Sequence, residues 1–159
     1  MDLAIELCLK RAENEIVLAK LIQRISNENQ LKKEVFQIAE DFTFYSAVIS
    51  HSYYAIFQSA KAYLLSKGVG FSSKQGQHQK VYHRFKKHIK KGTMDAELLN
   101  IYDSIMIRAD ELLGILEMER EKRGNFTYET LPQANKEPAE DSLVNAQKFY
   151  KHIYALISQ

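Results

Sequence analysis

The chain of 159 residues contains a single cysteine, Cys8. One cysteine cannot form an internal disulfide, which is typical of a protein in a reducing compartment. No apolar run approaches the ~18 residues that a transmembrane helix requires, so we expect no contact with a membrane. The first residues, MDLAIELCLKRAENE, place acidic side chains where a secretory signal peptide carries positive charge. These absences together predict a cytoplasmic protein.

The motifs of familiar nucleotide-binding and nucleophilic enzymes are also missing. The sequence contains no phosphate-binding loop, no GxGxxG, no CxxC and no GxSxG. His78, His83 and His88 recur every five residues, which turns successive side chains about 140° around a helix, whereas a zinc pair needs i, i+4 spacing. Cys8 lies on an apolar stripe without a neighbouring histidine, so we interpret it as buried and inert. We therefore expect neither a metal nor another cofactor.

Glycine and proline are scarce, with six and two residues, and both prolines, Pro132 and Pro138, follow residue 131. Most of the chain therefore lacks the strongest helix breaker. Apolar residues recur at three- and four-residue steps, as on one face of an amphipathic helix. The clearest such stripe is Ile5, Leu9, Ala12, Ile16, Ala19 and Ile22. We predict one all-α domain over 1–159, an antiparallel four-helix up-and-down bundle with one short extra helix.

The stretch over 31–67 is helical in pattern but too long for one straight helix. It would measure about 55 Å, whereas a compact domain of this length is about 40 Å across. We expect a break near 41–43, between the short helix and a main helix at 44–67. The main helix is apolar or small on nearly every face, which is typical of the buried centre of a bundle. Gly68 and Gly70 are expected to end it.

The other predicted helices lie on either side of the main helix in the sequence. The first precedes the main helix and ends near the SNEN sequence at 26–29, and another spans about 76–90. The next carries an apolar stripe over 98–116. A loop follows at 123–138, and Pro138 suits the first turn of the last helix because its missing N–H costs nothing there.

The strongest charge asymmetry lies at 74–91. This segment holds seven Lys or Arg residues and no acid, whereas the whole chain has a net charge of only +2. Such a segment can bind the phosphates of a nucleic acid, since each neutralised phosphate releases counterions. The alternative is a solvated helix face opposite an apolar one. The candidate RNA- or phosphate-binding residues are Lys80, Arg84, Lys87 and, further along the chain, Arg120.

Aromatic residues concentrate around the main helix. Eight of the seventeen Phe and Tyr residues fall between 36 and 63. Aromatic residues at helical spacing usually build a core, but tyrosine is also enriched at protein interfaces. Tyr53, Tyr54 and Tyr63 are therefore candidates either for the core or for a homodimer or partner interface.

A polar loop begins after the predicted fourth helix. Arg120, Lys122 and Arg123 lead into GNFTYE at 124–129. Functional residues are often found where a helix gives way to irregular chain. Basic residues at such a point also complement the helix dipole, which is the simpler interpretation.

Two parts of the sequence resemble a known family. The helix SHSYYAIFQSAKAYLLSKG at 50–68 is similar to the S-R-x-Y-Y-A-x-F helix of the HEPN superfamily. RGNFTYE at 123–129, followed by EDSLVNAQKFYKHI at 140–153, resembles its Arg-containing loop and final helix. The resemblance covers about 3–157 and implies a four- or five-helix bundle that forms homodimers. It also implies a metal-independent ribonuclease or a relative of one, of the type encoded beside a minimal nucleotidyltransferase as a toxin–antitoxin pair.

The catalytic motif of that family is Arg, four to six residues, then His. The resemblance assigns Arg123 to the arginine and Asn125 to an accompanying polar group, and Tyr128 stands at the histidine position. Tyrosine, with a pKa of about 10, is ionised in about one molecule per thousand at pH 7, so it is a poor general base. His51 and His152 are candidates for the missing imidazole.

Two functions are compatible with these features. The first is an RNA-binding or RNA-cleaving homodimer, in which two Arg123–Tyr128 loops face each other beside the basic helix at 80–91. The second is a non-catalytic interaction or nucleotide-binding module that pairs with a nucleotidyltransferase. The absence of the motif histidine favours the second function.

Overall fold

The computed structural model describes residues 2–71, 76–90, 96–118 and 136–159, without the side chains of 90 and 109–118. Helix α1, Leu3–Asn27, begins at Asp2, whose Oδ1 accepts a hydrogen bond from the amide of Ala4 (2.8 Å). Its inner side buries most of the predicted stripe, namely Ile5, Leu9, Ala12, Ile16 and Ala19.

A π-helix, Leu31–Phe36, takes the place of the predicted short helix. It ends at Gln37, whose φ of +54° is left-handed backbone that does not continue a helix. The chain therefore leaves the helical conformation earlier than predicted. Lys32 is 2% exposed and donates to the carbonyl oxygen of Glu40 (2.7 Å) and to Asn29 Oδ1 (3.2 Å). These bonds join the two ends of this connection.

Helix α2, Tyr45–Ser66, is buried along most of its length, as its apolar pattern predicts. Two hydrogen bonds fix its start to the end of α1. The amide of Phe44 donates to Ser26 Oγ (2.9 Å), and the hydroxyl of Tyr45 donates to Asn27 Oδ1 (2.7 Å). Helices α1 and α2 therefore form an antiparallel hairpin.

Gly68 ends α2, as predicted. Its φ is +75°, a conformation that side chains rarely adopt. The amide of Gly68 donates to the carbonyl of Leu65 (2.9 Å) and that of Val69 to the carbonyl of Leu64 (2.9 Å), which is the Schellman pattern of a helix end. Gly70 has no positive φ and takes no part in this cap.

The remaining described helices are α3 (Gln77–Lys90), α4 (Ala96–Met118) and α5 (Lys136–Ile157). Pro138 lies in the first turn of α5, as expected. Each helix contributes one buried ring to a shared cluster of Phe85, Tyr102 and Phe149. The ring centroids lie 5.4–5.9 Å apart, so these three helices share one aromatic core.

Helices α4 and α5 run antiparallel. Arg108, well along α4, donates to Ser142 Oγ near the start of α5 (3.0 Å), whereas Glu97 at the start of α4 pairs with Lys148. The prediction of an all-α bundle is confirmed. None of the described helices combines the length and the apolar content needed to cross a membrane.

Helix α3 departs from a regular up-and-down arrangement. His78 at its start packs on Phe57 of α2, while Phe85, two turns later, packs on Tyr63, which is also further along α2. Helices α2 and α3 therefore cross each other with their chains running in roughly the same direction. The chain between them, from Lys67 to Gly76, is long enough to return along α2 before α3 begins.

Candidate functional site

The residues of the predicted catalytic motif, together with the basic residue before it, lie outside the described part of the chain. They are Arg120, Arg123, Asn125 and Tyr128. The helix that follows them is anchored, since Arg108 donates to the carbonyl oxygen of Pro138 (3.1 Å). The pKa of Tyr45, the first residue of α2, is raised by burial and next by the charge of Glu140 in the second turn of α5. Because the two side chains are close enough to interact, the start of α5 lies at the end of the bundle where α2 begins.

Helix α3 presents a basic surface to solvent. Val81 and Phe85 are fully buried, which turns the opposite side of the helix outward. Lys80, Arg84 and Lys87 lie on that side at i, i+4 and i+7, and all three are exposed. We call these three residues the α3 basic face. Helix α3 contains no acidic residue, so nothing on the same helix neutralises them.

Two members of the α3 basic face differ in their contacts. Arg84 Nη1 donates to the carbonyl oxygen of Gly70 (2.6 Å), and its guanidinium lies 4.9 Å from the centre of the Phe71 ring. Lys87 makes no hydrogen bond or ion pair with any residue that the structure describes. Arg84 therefore supports the local fold as well as carrying charge, whereas Lys87 is available to a ligand.

His51, a candidate for the missing imidazole, is held by a carboxylate. Its Nδ1 lies 2.6 Å from Glu15 Oε2, and both side chains are partly buried between α1 and α2. Because the carboxylate occupies Nδ1, only Nε2 remains to transfer a proton. The other candidate, His152, is partly buried on α5.

The three tyrosines predicted for the core or an interface are placed differently from one another. Tyr53 and Tyr63 are 5% and 2% exposed and belong to the core of this chain. Their positions on α2 face the other helices, which leaves little of either ring for a partner. Tyr54 is 38% exposed, so it alone of the three presents much of its ring to solvent.

Sequence reasoning missed an aromatic cluster around His78. The hydroxyl of Tyr53 lies 2.7 Å from His78 Nδ1, and the imidazole stacks on the Phe57 ring with centroids 4.0 Å apart. Burial, and next the positive charge of Lys61, lower the pKa of His78. The imidazole is therefore neutral at neutral pH. The sequence shows His78 only as one of three histidines spaced five residues apart. Its contacts with Tyr53 and Phe57 could not be predicted, because they depend on how α3 crosses α2.

The described residues contain no group of three or more His, Cys, Asp or Glu side chains placed to hold a metal ion.

Comparison with known proteins identifies a family. The family model described as HEPN domain matches residues 28–155, well over half of the chain. No curated protein and no solved structure matches the chain. The matched range runs from the end of α1 to near the end of α5, and it includes the α3 basic face and the predicted motif at 123–128. The chain belongs to the HEPN family.

Proposed function

We propose that this HEPN domain forms a homodimer that binds RNA and cleaves it without a metal ion. The observation that carries the proposal is the α3 basic face, three exposed cations along one side of a helix that has no acid. A backbone of regularly spaced phosphates is the ligand that such a row attracts, since each contact releases counterions. The family match supports the same function.

Metal-free cleavage of RNA needs a base, an acid and positive charge. The base removes the proton of a 2′-hydroxyl, whose oxygen attacks the adjacent phosphorus. The bond between phosphorus and the 5′-oxygen then breaks, and the acid protonates that oxygen. The products are a 2′,3′-cyclic phosphate and a 5′-hydroxyl. Positive charge stabilises the pentacoordinate transition state.

The proposal assigns these tasks to residues of the predicted motif. Arg123 stabilises charge on the phosphate through its two-pronged guanidinium. Tyr128 protonates the leaving oxygen, and Asn125 hydrogen-bonds the phosphate. His51 is the candidate base, because the neighbouring Glu15 holds its ring and stabilises the imidazolium that forms. In the homodimer the two loops face each other across one cleft.

RNA binding is tested with variants of equal charge change. Lys80→Gln combined with Lys87→Gln removes two cations of the α3 basic face, and Lys20→Gln with Lys151→Gln removes two exposed cations elsewhere. For a single-stranded RNA, we expect the first variant to bind more weakly and its salt slope to fall by about 1.4, at about 0.7 per lost phosphate contact. Equal slopes in the two variants would contradict binding through α3.

Cleavage is tested through Arg123 in the presence of a chelator. We expect the wild-type chain to release 2′,3′-cyclic phosphate ends with EDTA present, and Arg123→Ala to cut at least a hundredfold more slowly. His51→Gln should lower the rate and shift its pH profile. The mass in solution should be that of two chains. A monomer, or equal cleavage by Arg123→Ala, would count against the proposal.

A second candidate function is favoured by one feature of the sequence, tyrosine at the histidine position of the motif. In this alternative the domain binds nucleic acid or a nucleotide without cutting, and pairs with a nucleotidyltransferase. RNA binding that depends on Lys80 and Lys87, without any cleavage that depends on Arg123, would select it. A stable complex with a nucleotidyltransferase encoded beside the chain would support it further.

A further inference from the structure

Helix α1 carries a second stripe of residues on the side that faces away from the bundle. At 100° per residue its six positions fall within an arc of about 80°, roughly opposite the buried stripe. All six side chains are exposed, and they are Leu3, Leu7, Lys10, Asn14, Val17 and Leu21. We call this set the α1 seam. Its four apolar members are 49–69% exposed, so no described part of the chain covers them.

The spacing of the α1 seam is that of a coiled coil. Successive members are four, three, four, three and four residues apart, which is the pattern of a and d positions in a heptad repeat. A helix with this pattern buries its seam against a second helix, whose side chains fill the spaces between its own. The other side of α1 already packs on this chain, so the outward seam is free for a helix of another chain.

The α1 seam is complementary to itself. Its members lie at equal distances on either side of residue 12. Two copies of α1 that run antiparallel about a two-fold axis at that level bring mirrored positions together, namely Leu3 with Leu21, Leu7 with Val17 and Lys10 with Asn14. Apolar residues meet apolar residues and polar residues meet polar ones. Each contact occurs twice, as in any two-fold symmetric interface.

The polar centre of the seam favours the antiparallel arrangement. In a parallel pair, Lys10 would face Lys10 of the other copy, which sets two positive charges against each other in the middle of the contact. In the antiparallel pair, the same ammonium group faces the amide of Asn14, whose oxygen accepts hydrogen bonds. Lys10 Nζ also donates to Glu13 Oε2 of its own chain (2.7 Å), which offsets its charge.

Charges beside the seam favour the same arrangement. On the edge towards α5, Glu6 of one copy comes level with Lys20 of the other, and the two-fold axis makes this pair twice. Both side chains are exposed, and neither has a hydrogen bond or ion pair with a described residue. The two Glu13 side chains also come level, but each already pairs with a lysine of its own chain. On the other edge, the two Arg11 side chains line grooves of about 280 Å³, which leaves them room to diverge.

A groove between α1 and α5 extends the contact. It has a volume of about 480 Å³, and its lining includes Leu3, Leu7, Tyr150 and Tyr154. Tyr154 is 47% exposed, so its ring continues the apolar surface of the seam onto α5. In the antiparallel pair, the end of the second α1 comes level with Leu3. It therefore covers this groove as well as the seam.

We infer that the α1 seam pairs with the α1 seam of a second copy, antiparallel and about a two-fold axis at residue 12. This contact is separate from the loop-to-loop homodimer proposed above. Helix α1 ends at the end of the bundle where α5 starts, and in the α1 pair those ends point in opposite directions. The α1 pair therefore joins one loop-facing dimer to another. Only this larger assembly rests on the proposed function, and the α1 contact itself does not.

The test is sedimentation of the full chain over roughly 5–500 μM, which detects dissociation constants from micromolar to near millimolar. Polar residues in a seam lower its affinity, so we expect a mass of two chains at low concentration that rises towards four. Leu7→Glu with Val17→Glu places four carboxylates in the contact and should weaken this step at least about a hundredfold. Val35→Glu with Val144→Glu, an equal charge change at exposed apolar positions elsewhere, is the matched control and should not weaken it.

Charge reversal tests the orientation. Glu6→Lys brings like charges together beside Lys20 and should weaken the contact about tenfold. Lys20→Gln alone should weaken it by only about threefold, because an exposed ion pair contributes little. Glu6→Lys combined with Lys20→Glu should recover the wild-type affinity, since the antiparallel pair again joins opposite charges. A parallel pair places Glu6 beside Arg11 instead, so failure to recover would overturn the antiparallel arrangement.

The outcome is separable from that of the proposed function. If the loop-facing dimer does not form, the wild-type chain passes from one chain to two, and the Leu7→Glu, Val17→Glu variant stays a monomer. The α1 pair then stands without the ribonuclease homodimer. If the mass never exceeds two chains and this variant matches its control, the α1 pair is overturned and the loop-facing dimer stands. A variant that loses stability without any change of mass would show that the seam packs within its own chain, which would also overturn the α1 pair.

Discussion

The α1–α2 hairpin and helix α3 use their polar side chains in different ways. In the hairpin, two polar contacts join the helices, His51 with Glu15 and Ser26 with the amide of Phe44 that precedes α2. On α3, Lys87 faces solvent unpaired by any described residue, and Arg84 donates to the carbonyl oxygen of Gly70. These residues of the hairpin join two helices, whereas Lys80, Arg84 and Lys87 of α3 form a charged surface.

The difference follows from how each element is secured. Helix α2 is buried on most sides, so an unpaired polar group on it is costly, and of its described side chains Ser52 Oγ and Gln58 Oε1 are buried without a hydrogen-bond partner. Helix α3 is held mainly by one apolar side, Val81, Phe85 and Ile89, and on its basic side Arg84 adds a bond to Gly70. A helix fixed mainly by one side can present a row of like charges at little cost to the fold.

The largest difference is expected between substitutions on the apolar and the basic side of α3. We expect Phe85→Ala to lower the free energy of unfolding by about 3–5 kcal/mol, since it removes a fully buried ring that packs on Tyr102 and Phe149. Lys87→Ala should change it by less than about 0.5 kcal/mol. Urea denaturation measures both. A large loss for Lys87→Ala would show that the outer side of α3 also supports the fold.

A second test concerns the connection within the hairpin, where two neighbouring lysines differ in burial. Lys32→Met should lower the free energy of unfolding by about 1–3 kcal/mol, because Glu40 and Asn29 lose the donor that the buried Lys32 supplies. Lys33 is exposed and paired with Glu40, so Lys33→Met should cost at most about 1 kcal/mol. Equal losses would mean that charge near Glu40, and not the buried bonds, holds this connection.

Much of the fold could be predicted because its elements are marked in the local sequence. The stripe on α1, the apolar α2, Gly68 at its end and Pro138 at the start of α5 each carry a signal that tertiary structure does not override. The π-helix could not be predicted, since apolar spacing does not distinguish it from an α-helix. Nor could the burial of Lys32, which depends on a carbonyl oxygen eight residues away.

The candidate site likewise has features that the sequence predicts and features that it does not. The exposure of Lys80, Arg84 and Lys87 follows from the apolar residues between them. The burial of Tyr53 beside the exposed Tyr54 does not, because α2 is apolar or small on nearly every side and its pattern favours no direction. The motif at 123–128 lies outside the described residues and stays a prediction.

A smaller effect tests the end of the hairpin. Gly68 has φ +75°, and no atom lies within 4 Å of the position that a Cβ would take, so Gly68→Ala should cost about 1 kcal/mol from backbone strain alone. Gly70 is equally open but has no positive φ, and Gly70→Ala should be neutral or slightly stabilising. Thermal unfolding of both variants measures the difference. An equal loss at Gly70 would show that space, and not φ, limits this turn.

The smallest effect is expected at His78 of α3, which contacts Tyr53 of α2 and so links α3 to the α1–α2 hairpin. Its pKa is lowered in the folded protein by burial and by Lys61, so the unfolded chain takes up a proton at higher pH than the native chain does. Stability should therefore fall as pH drops below about 6.5, the ordinary pKa of histidine. His78→Gln should show a shallower loss between pH 7 and pH 5.5, measured by urea denaturation at each pH. If the two slopes are the same, His78 titrates alike in both states, and its contact with Tyr53 does not link α3 to the hairpin in a proton-dependent way.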